Sequence, residues 1–220
     1  MPCCQGQDYD RMFDLKTAKR ELQSYDKRGA RGASRRLLEA VERGLQSAGL
    51  SEFSHLDIGG GVGVLQHELA SGGATRTTAV DASAPYLELL REAAEQRGYG
   101  DRHERIEGDF TDVADRVEPS TVVTLDKVIC CYPDMPALVR ASAQKATALY
   151  AIVVPQDAAW IRRLARVANW FMRVVLRWSF QGFVHPHGAI DACCEEQGLK
   201  LATDESFLLW SVRVYARKAA

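Results

Sequence analysis

One octapeptide constrains this chain more than any other stretch: LDIGGGVG, residues Leu56 to Gly63, in which an apolar run ends in an acid followed by four glycines. A strand running straight into such a loop opens the ligand crevice of an α/β sheet, because glycine lets the backbone turn tightly and approach a ligand closely. The segments around it repeat the arrangement. FSHLDI, TRTTAVDAS, HERIEGDF, STVVTLDKVICC and ALYAIVVP are β-rich, while VGVLQHELASGG and APYLELLREAAEQRG have helical spacing and stop at glycines. Strands that are apolar throughout and separated by helices predict a parallel sheet covered on both faces. The closing LKLATDESFLLWSVRVYARK holds two β-rich runs with no helix between them. The expected fold is therefore α/β: a doubly wound, mostly parallel seven-stranded sheet, Rossmann-like, with an antiparallel C-terminal hairpin.

At 220 residues the chain suits one domain. Within it, residues 1–50 read as an N-terminal helical cap, 51–157 as a cofactor-binding half, and 158–220 as a lid helix plus the hairpin. The cap is polar, broken at KRGARGAS (Lys27 to Ser34), and holds nine basic residues against three acids between Arg11 and Arg36. These charges are either a solvated face or a cover for an anionic substrate. Leu37, Leu38, Val41 and Leu45 follow helical spacing and should meet a core.

The loop must then be assigned a ligand. The dinucleotide fingerprint is G-x-G-x-x-G, and Gly59 and Gly61 match it, but Val64 stands where the third glycine belongs. Asp57 discriminates better. A carboxylate beside the loop repels a pyrophosphate at the helix N-terminus, whereas it favours a ligand carrying an ammonium and a sulfonium. S-adenosyl-L-methionine is such a ligand. Asp81 closes TTAV and can accept both ribose hydroxyls, a role that serves either cofactor. Asp109 and Phe110 in EGDF would place an acid near an adenine amino group and an aromatic near its face. Asp126 ends VVTL and points into the same crevice. A nicotinamide-dependent oxidoreductase, NAD(P)-linked, is the alternative from another class, and a non-catalytic S-adenosylmethionine-binding protein is a further one.

The series LDIGGGVG, AVDAS, EGDF and VVTLDKVICCYPD resembles class I S-adenosylmethionine-dependent methyltransferases over roughly residues 53 to 217. The resemblance implies that Asp57, Gly59, Gly60 and Gly61 hold the methionine end, Asp81 and Ala82 the ribose, and Asp109 with Phe110 the adenine. The second half is similar in order and spacing to magnesium-protoporphyrin O-methyltransferases, which esterify a propionate of a tetrapyrrole. That family has a histidine before its Tyr-Pro, where this chain has Cys131 before Tyr132–Pro133. By these likenesses the expected activity is O-methylation of a small acidic, aromatic or tetrapyrrole-like acceptor by in-line displacement.

Such chemistry is mainly alignment and exclusion of water, so its catalytic signature is weak. Tyr132 should face the methyl because it follows the strand that carries Asp126. His185, in FVHPHG, and a tyrosine of the cap (Tyr9 or Tyr25) are the other candidates for the acceptor pocket. His185 and His187 form an H-x-H pair without a third ligand, so no metal is expected. The cysteines fall in adjacent pairs, Cys3–Cys4, Cys130–Cys131 and Cys193–Cys194, a spacing that suits neither zinc nor a disulfide framework, and the internal pairs read as small core residues.

Residues Ala158 to Phe183 have helical spacing throughout, with Trp160, Leu164, Val167, Phe171 and Val174 on one side and Arg162, Arg166 and Arg173 on the other. Packing on the core, gripping a flat acidic substrate, and contact with a membrane surface are the three readings, the membrane being the least favoured. A formal net charge of −1 gives no field that would call for nucleic acid. The opening MPCCQGQDYDRMFD lacks the apolar run of a secretory signal, so a cytoplasmic protein acting on a small molecule is expected. No sequence feature bears on the oligomeric state.

Overall fold

The computed structural model describes residues 14–177 and 180–217. Asp14 opens the first helix: its Oδ1 accepts the Thr17 amide at 2.7 Å, satisfying one of the donors that a helix start leaves without a partner. Helix α1 (Leu15–Arg28) ends at Gly29 in the left-handed region, and α2 (Gly32–Ser47) follows at once. The break is thus narrower than the Lys27–Ser34 segment of the sequence. On α2, Leu37, Leu38, Val41 and Leu45 are all buried, as their spacing predicts.

The sheet is then built by alternation: β1 (Phe53–Ile58), α3 (Val64–Ser71), β2 (Ala74–Asp81), α4 (Ala84–Gln96), β3 (His103–Glu107), the single turn α5 (Phe110–Val113), β4 (Ser120–Asp126), α6 (Met135–Gln144) and β5 (Ala146–Pro155). Helices α7 (Ala159–Val174) and α8 (His187–Glu196) precede the hairpin strands β6 (Leu199–Phe207) and β7 (Trp210–Arg217). The seven strands lie in the order β3-β2-β1-β4-β5-β7-β6. Strands β1 to β5 run parallel, and β7 pairs antiparallel with both β5 and β6. The strand order reverses between β1 and β4, and it is outside the carboxyl ends of such a pair that doubly wound sheets bind ligands.

Period-2 alternation divides the core between the two faces. Val122 and Leu149 pack with α2 and α3 on one face, while their neighbours Val123 and Tyr150 pack with α6 and α8 on the other. Cys193 and Cys194 lie in that second cluster, as small core residues should. Cys3 and Cys4 lie outside the described residues. The hairpin is pinned by Arg213, a buried guanidinium that reaches Asp191 at 2.7 Å and Asp204 at 2.6 Å, so its charge is compensated from α8 and β6 together.

One expected element is shorter than its periodicity suggests. Helical spacing runs from Ala158 to Phe183, but α7 stops at Val174. Arg177 adopts a left-handed φ of 55°, which ends helical progression. The chain then folds back, and Asn169 holds the Gly182 carbonyl at 2.8 Å and its amide at 3.0 Å. Periodicity alone cannot see such a reversal, because the spacing of apolar residues carries no signal for a change of chain direction. Trp178 lies outside the described residues.

Candidate functional site

At the switch point β1 delivers Asp57 and the chain enters the glycine loop. Gly59 and Gly61 have φ of 63° and 58°, a region that a side chain would strain. Gly60 matters for space instead: a Cβ there would overlap the carboxylate of Asp57. Gly63, at φ 78°, starts α3, and a Cβ on it would overlap Leu90 of α4. Gly63 therefore permits the close packing expected of a third glycine, one residue earlier than the dinucleotide fingerprint places it.

The loop borders a cavity of about 490 Å³. Tyr25, Asp57, Gly59, Gly60, Gly61, Asp81, Asp126 and Tyr132 line it, together with Cys131. Four sequence candidates do not: Ala82, Asp109, Phe110 and His185. Glu21, Arg31, Ser34, Tyr86 and Lys127 were not foreseen, and all of them line it. They come from the two cap helices and the break between them, from α4 and from the residue after β4, which the fold brings together and the sequence does not.

Asp57 is the unusual group. It is 1% exposed, its Oδ1 accepts the Thr124 hydroxyl at 2.6 Å, and its Oδ2 is buried without a hydrogen-bond partner. Burial lifts its carboxyl to about 7, with the nearby Asp126 and Asp81 adding to the lift and Thr124 opposing it. Thr124 has one proton, and it is given to Asp57. The contact of its oxygen with His55 Nε2 at 2.8 Å must therefore be a bond donated by the imidazole. His55 is completely buried, which holds it neutral by lowering its pKa to about 3. His55, Thr124 and Asp57 form a relay behind the loop that leaves two buried acceptors without a hydrogen-bond partner among the described residues, Asp57 Oδ2 at the front and His55 Nδ1 at the back.

The other acids are spoken for. Asp81 Oδ1 accepts the Ser83 amide at 2.8 Å and Oδ2 accepts the Gly61 amide at 3.3 Å, so backbone donors set its orientation at the end of β2. Asp126 accepts from the Ser34 hydroxyl and pairs with Lys127 at 2.9 Å. Lys127 itself sits at φ 63°, a left-handed conformation that costs a side-chain-bearing residue about 1–2 kcal/mol. Of the nine basic residues of the cap, Arg31 alone among the described ones lines the cavity. Arg35 pairs with Glu39 at 2.8 Å and Arg36 stacks on Phe207, which makes them surface charges.

The other candidates are held by partners of their own. Asp109 caps α5 by accepting the Thr111 amide at 3.0 Å, and the same oxygen accepts the Tyr132 hydroxyl at 2.8 Å. Phe110 is buried in the main core and presents no ring to the cavity. His185 does not face the cavity either. It donates from Nε2 to the Tyr132 carbonyl at 2.9 Å and stacks on Phe183, and burial lowers its pKa, so it braces the Tyr132 backbone as a neutral ring. Both ring nitrogens of His187 are engaged, Nε2 with the Pro155 carbonyl at 3.0 Å and Nδ1 with Arg213 at 3.1 Å. Tyr25 reaches the cavity, but its hydroxyl donates to Glu68 at 3.2 Å, and burial followed by the Glu68 charge raises its pKa. Tyr9 lies outside the described residues. No described residue of helix α7 lines the cavity.

Comparison with known proteins agrees with this architecture. Residues 56–150 match the methyltransferase domain family, whose members depend on S-adenosylmethionine. The fold is similar to that of magnesium protoporphyrin IX methyltransferase from Synechocystis with SAH bound: TM-score 0.71, 17% identity, covering 94% of this chain and 97% of that one. It is also similar to an O-methyltransferase family protein from Burkholderia thailandensis, with TM-score 0.71 and 15% identity over 97% of this chain and 63% of that one. An O-methyltransferase family 2 protein from Planctomyces limnophilus, in complex with apigenin, gives TM-score 0.65 and 18% identity over 95% and 63%. No curated protein sequence matches the chain. The match spans the strands from β1 into β5, and the fold is that of Rossmann-like methyltransferases.

Proposed function

We propose that this chain is a methyltransferase that binds S-adenosylmethionine in the switch-point cavity and methylates an oxygen of a small acidic acceptor. The observation that carries the reading is Asp57: a carboxylate that is buried, braced from behind and open at Oδ2 alone. Such a group favours a cationic partner, which would recover the desolvation free energy that now raises its pKa. It opposes a pyrophosphate for the same reason, which disfavours the NAD(P) alternative. Asp81, already oriented by two backbone amides, suits a pair of ribose hydroxyls.

When bound, S-adenosylmethionine would supply a methyl group on a sulfonium, and in-line attack by an acceptor carboxylate would leave a neutral ester and a neutral thioether. The residues of the chain do the rest by position. The loop glycines bring backbone close to the ligand, α1 covers the loop, and the largely apolar wall excludes water, which favours a reaction that annihilates opposite charges. Tyr132 donates to Asp109, Tyr25 donates to Glu68, and His185 donates to a carbonyl, so none of the three is set to remove a proton. That favours an acceptor already ionised at neutral pH, a carboxylate over a phenol or amine. Arg31 at the cavity wall is suited to draw it in. A flat, tetrapyrrole-like acid is the finer form of the proposal. It is supported by the end-to-end likeness to the Synechocystis enzyme, with Cys131 at the position of that family's histidine.

The test is calorimetric titration with S-adenosylmethionine and with NADH. Binding of the first and not the second is expected, and tight NADH binding alone overturns the reading. Incubation with carboxylic-acid candidates should then give a product heavier by one methylene. Cofactor binding without turnover on any acceptor would instead leave the non-catalytic binding protein standing.

A further inference from the structure

Helix α7 breaks the usual burial rule. Ile161 is its one buried side chain, while Trp160, Leu164, Val167, Phe171 and Val174 form a single stripe at helical spacing and are all about half exposed or more. Trp170, 60% exposed, borders the stripe. A surface helix normally turns such a stripe inward, and a monomer seldom leaves so continuous an apolar patch open to water. The patch does not end with the helix. Gln156, three residues before α7, holds the tip of the last hairpin, its backbone amide donating to the Leu209 carbonyl at 2.9 Å and its side-chain amide to the Leu208 carbonyl at 2.8 Å. Leu208 sits there 74% exposed and in a left-handed conformation of φ 53°, a strained way to present an apolar side chain to solvent.

The charges decide what covers this surface. Between Ala158 and Arg177 there are five arginines and no acid, in a chain of net charge −1. A second copy laid on the stripe would bring two such clusters together. Trp160 in the stripe and Trp170 at its border, with arginines on the flanks, match the chemistry of a bilayer interface, where apolar side chains enter the acyl boundary and guanidinium groups reach anionic headgroups. We infer that α7 and the Leu208–Leu209 tip form a docking surface for an anionic lipid bilayer, with α7 lying in the interface plane. No helix among the described residues is long and apolar enough to cross a membrane, so the attachment is peripheral. Both features lie at the carboxyl edge of the sheet, where Trp210 of the hairpin contacts Lys127 of the cavity wall. Docking therefore sets the cavity beside the lipid surface.

The experiment uses the full chain with vesicles of phosphatidylcholine alone and of phosphatidylcholine containing phosphatidylglycerol, read by flotation and by tryptophan emission. The anionic vesicles should bind the protein at least about tenfold more tightly, with blue-shifted emission and loss at high salt. The pair Val167→Asp and Phe171→Asp should reduce flotation by about tenfold or more, with the melting temperature and the S-adenosylmethionine titration unchanged. Arg166→Glu with Arg173→Glu should remove the preference for anionic lipid. The inference is overturned if the parent chain stays in solution with both vesicles, or if the aspartate pair floats as well as the parent. It is equally overturned if the parent is a dimer that the aspartate pair converts to monomer, because the stripe then belongs to a second copy.

Discussion

The glycine loop and helix α7 depart from ordinary burial in opposite directions. The loop buries a carboxylate, Asp57, with one oxygen lacking a partner, while α7 exposes a stripe of large apolar side chains. Each is unfavourable in isolation. An uncompensated buried carboxylate pushes its own pKa upward, and exposed apolar surface forgoes about 25 cal/mol for every Å² left in water. Both departures are local and sit on well-packed scaffolding, so they are features the fold holds in place. The contrast teaches how opposite violations would serve opposite ligands: under the two proposals, a cation at the loop and an apolar surface with anionic edges at the helix.

The sharpest way to break the contrast is at Gly60. Gly60→Ala would drive a methyl into the Asp57 carboxylate, and cofactor affinity should fall by about a hundredfold or more, read by calorimetry. A loss of less than about threefold would mean the loop does not cradle the ligand. Asp57→Asn comes next. It should weaken S-adenosylmethionine binding by roughly tenfold to a hundredfold, yet raise the melting temperature of the ligand-free protein at pH 8.

The sign of that stability change follows from the pKa. The Asp57 carboxyl is raised to about 7 in the folded chain, so its contribution is fully present below the ordinary carboxylate range and is lost as pH rises through about 7. His55, His67 and His103 act in the other direction. Their folded values, about 3, 3 and 4, lie below 6.5, so their contribution is present above 6.5 and is lost as pH falls. Chemical denaturation of the parent should therefore show stability falling on the acid side of 6.5, and Asp57→Asn should steepen that dependence. Binding adds a linked prediction. If the ionised carboxylate receives the cation, affinity should be flat above pH 7 and decline about tenfold per pH unit below it. A flat profile from pH 5 to 8 would exclude Asp57 as the receiving group.

Thr124→Val should have a smaller effect. It leaves His55 and Asp57 facing an apolar group, with destabilisation of about 1–3 kcal/mol and a shift of the affinity knee to higher pH. The smallest effect belongs to α7. Phe171→Ser, on its exposed stripe, should change stability by no more than about 0.5 kcal/mol in a thermal melt, because about half of its surface is already in water. A loss of several kcal/mol would show that the stripe is covered within the chain.

How much of this was legible depends on the range of the signal. Asp57, Asp81 and Asp126 close strands and precede turns, and such positions report themselves through local pattern. His55 could have been found, since it lies two residues before Asp57 on the same face of β1. Thr124 could not, because it meets Asp57 only through the register that pairs β1 with β4 across 67 residues. The surroundings of Asp109, Phe110 and His185 were hidden for a related reason. A residue type in the right order does not fix which way its side chain turns, and helix capping, core packing and a carbonyl took those three groups.

The sequence by itself determined the parallel sheet, its reversed last strand and the glycine loop with its acid. These follow from the period of apolar residues and from glycine's freedom near the backbone, and both act over a few residues. The tertiary structure alone decided that Arg31, Ser34 and Lys127 share a cavity with Asp57, that α7 stops at Val174, and that its apolar face is left open. Those outcomes depend on how elements distant in the chain settle against one another, and the free energy that settles them is the packing and pairing of the whole molecule.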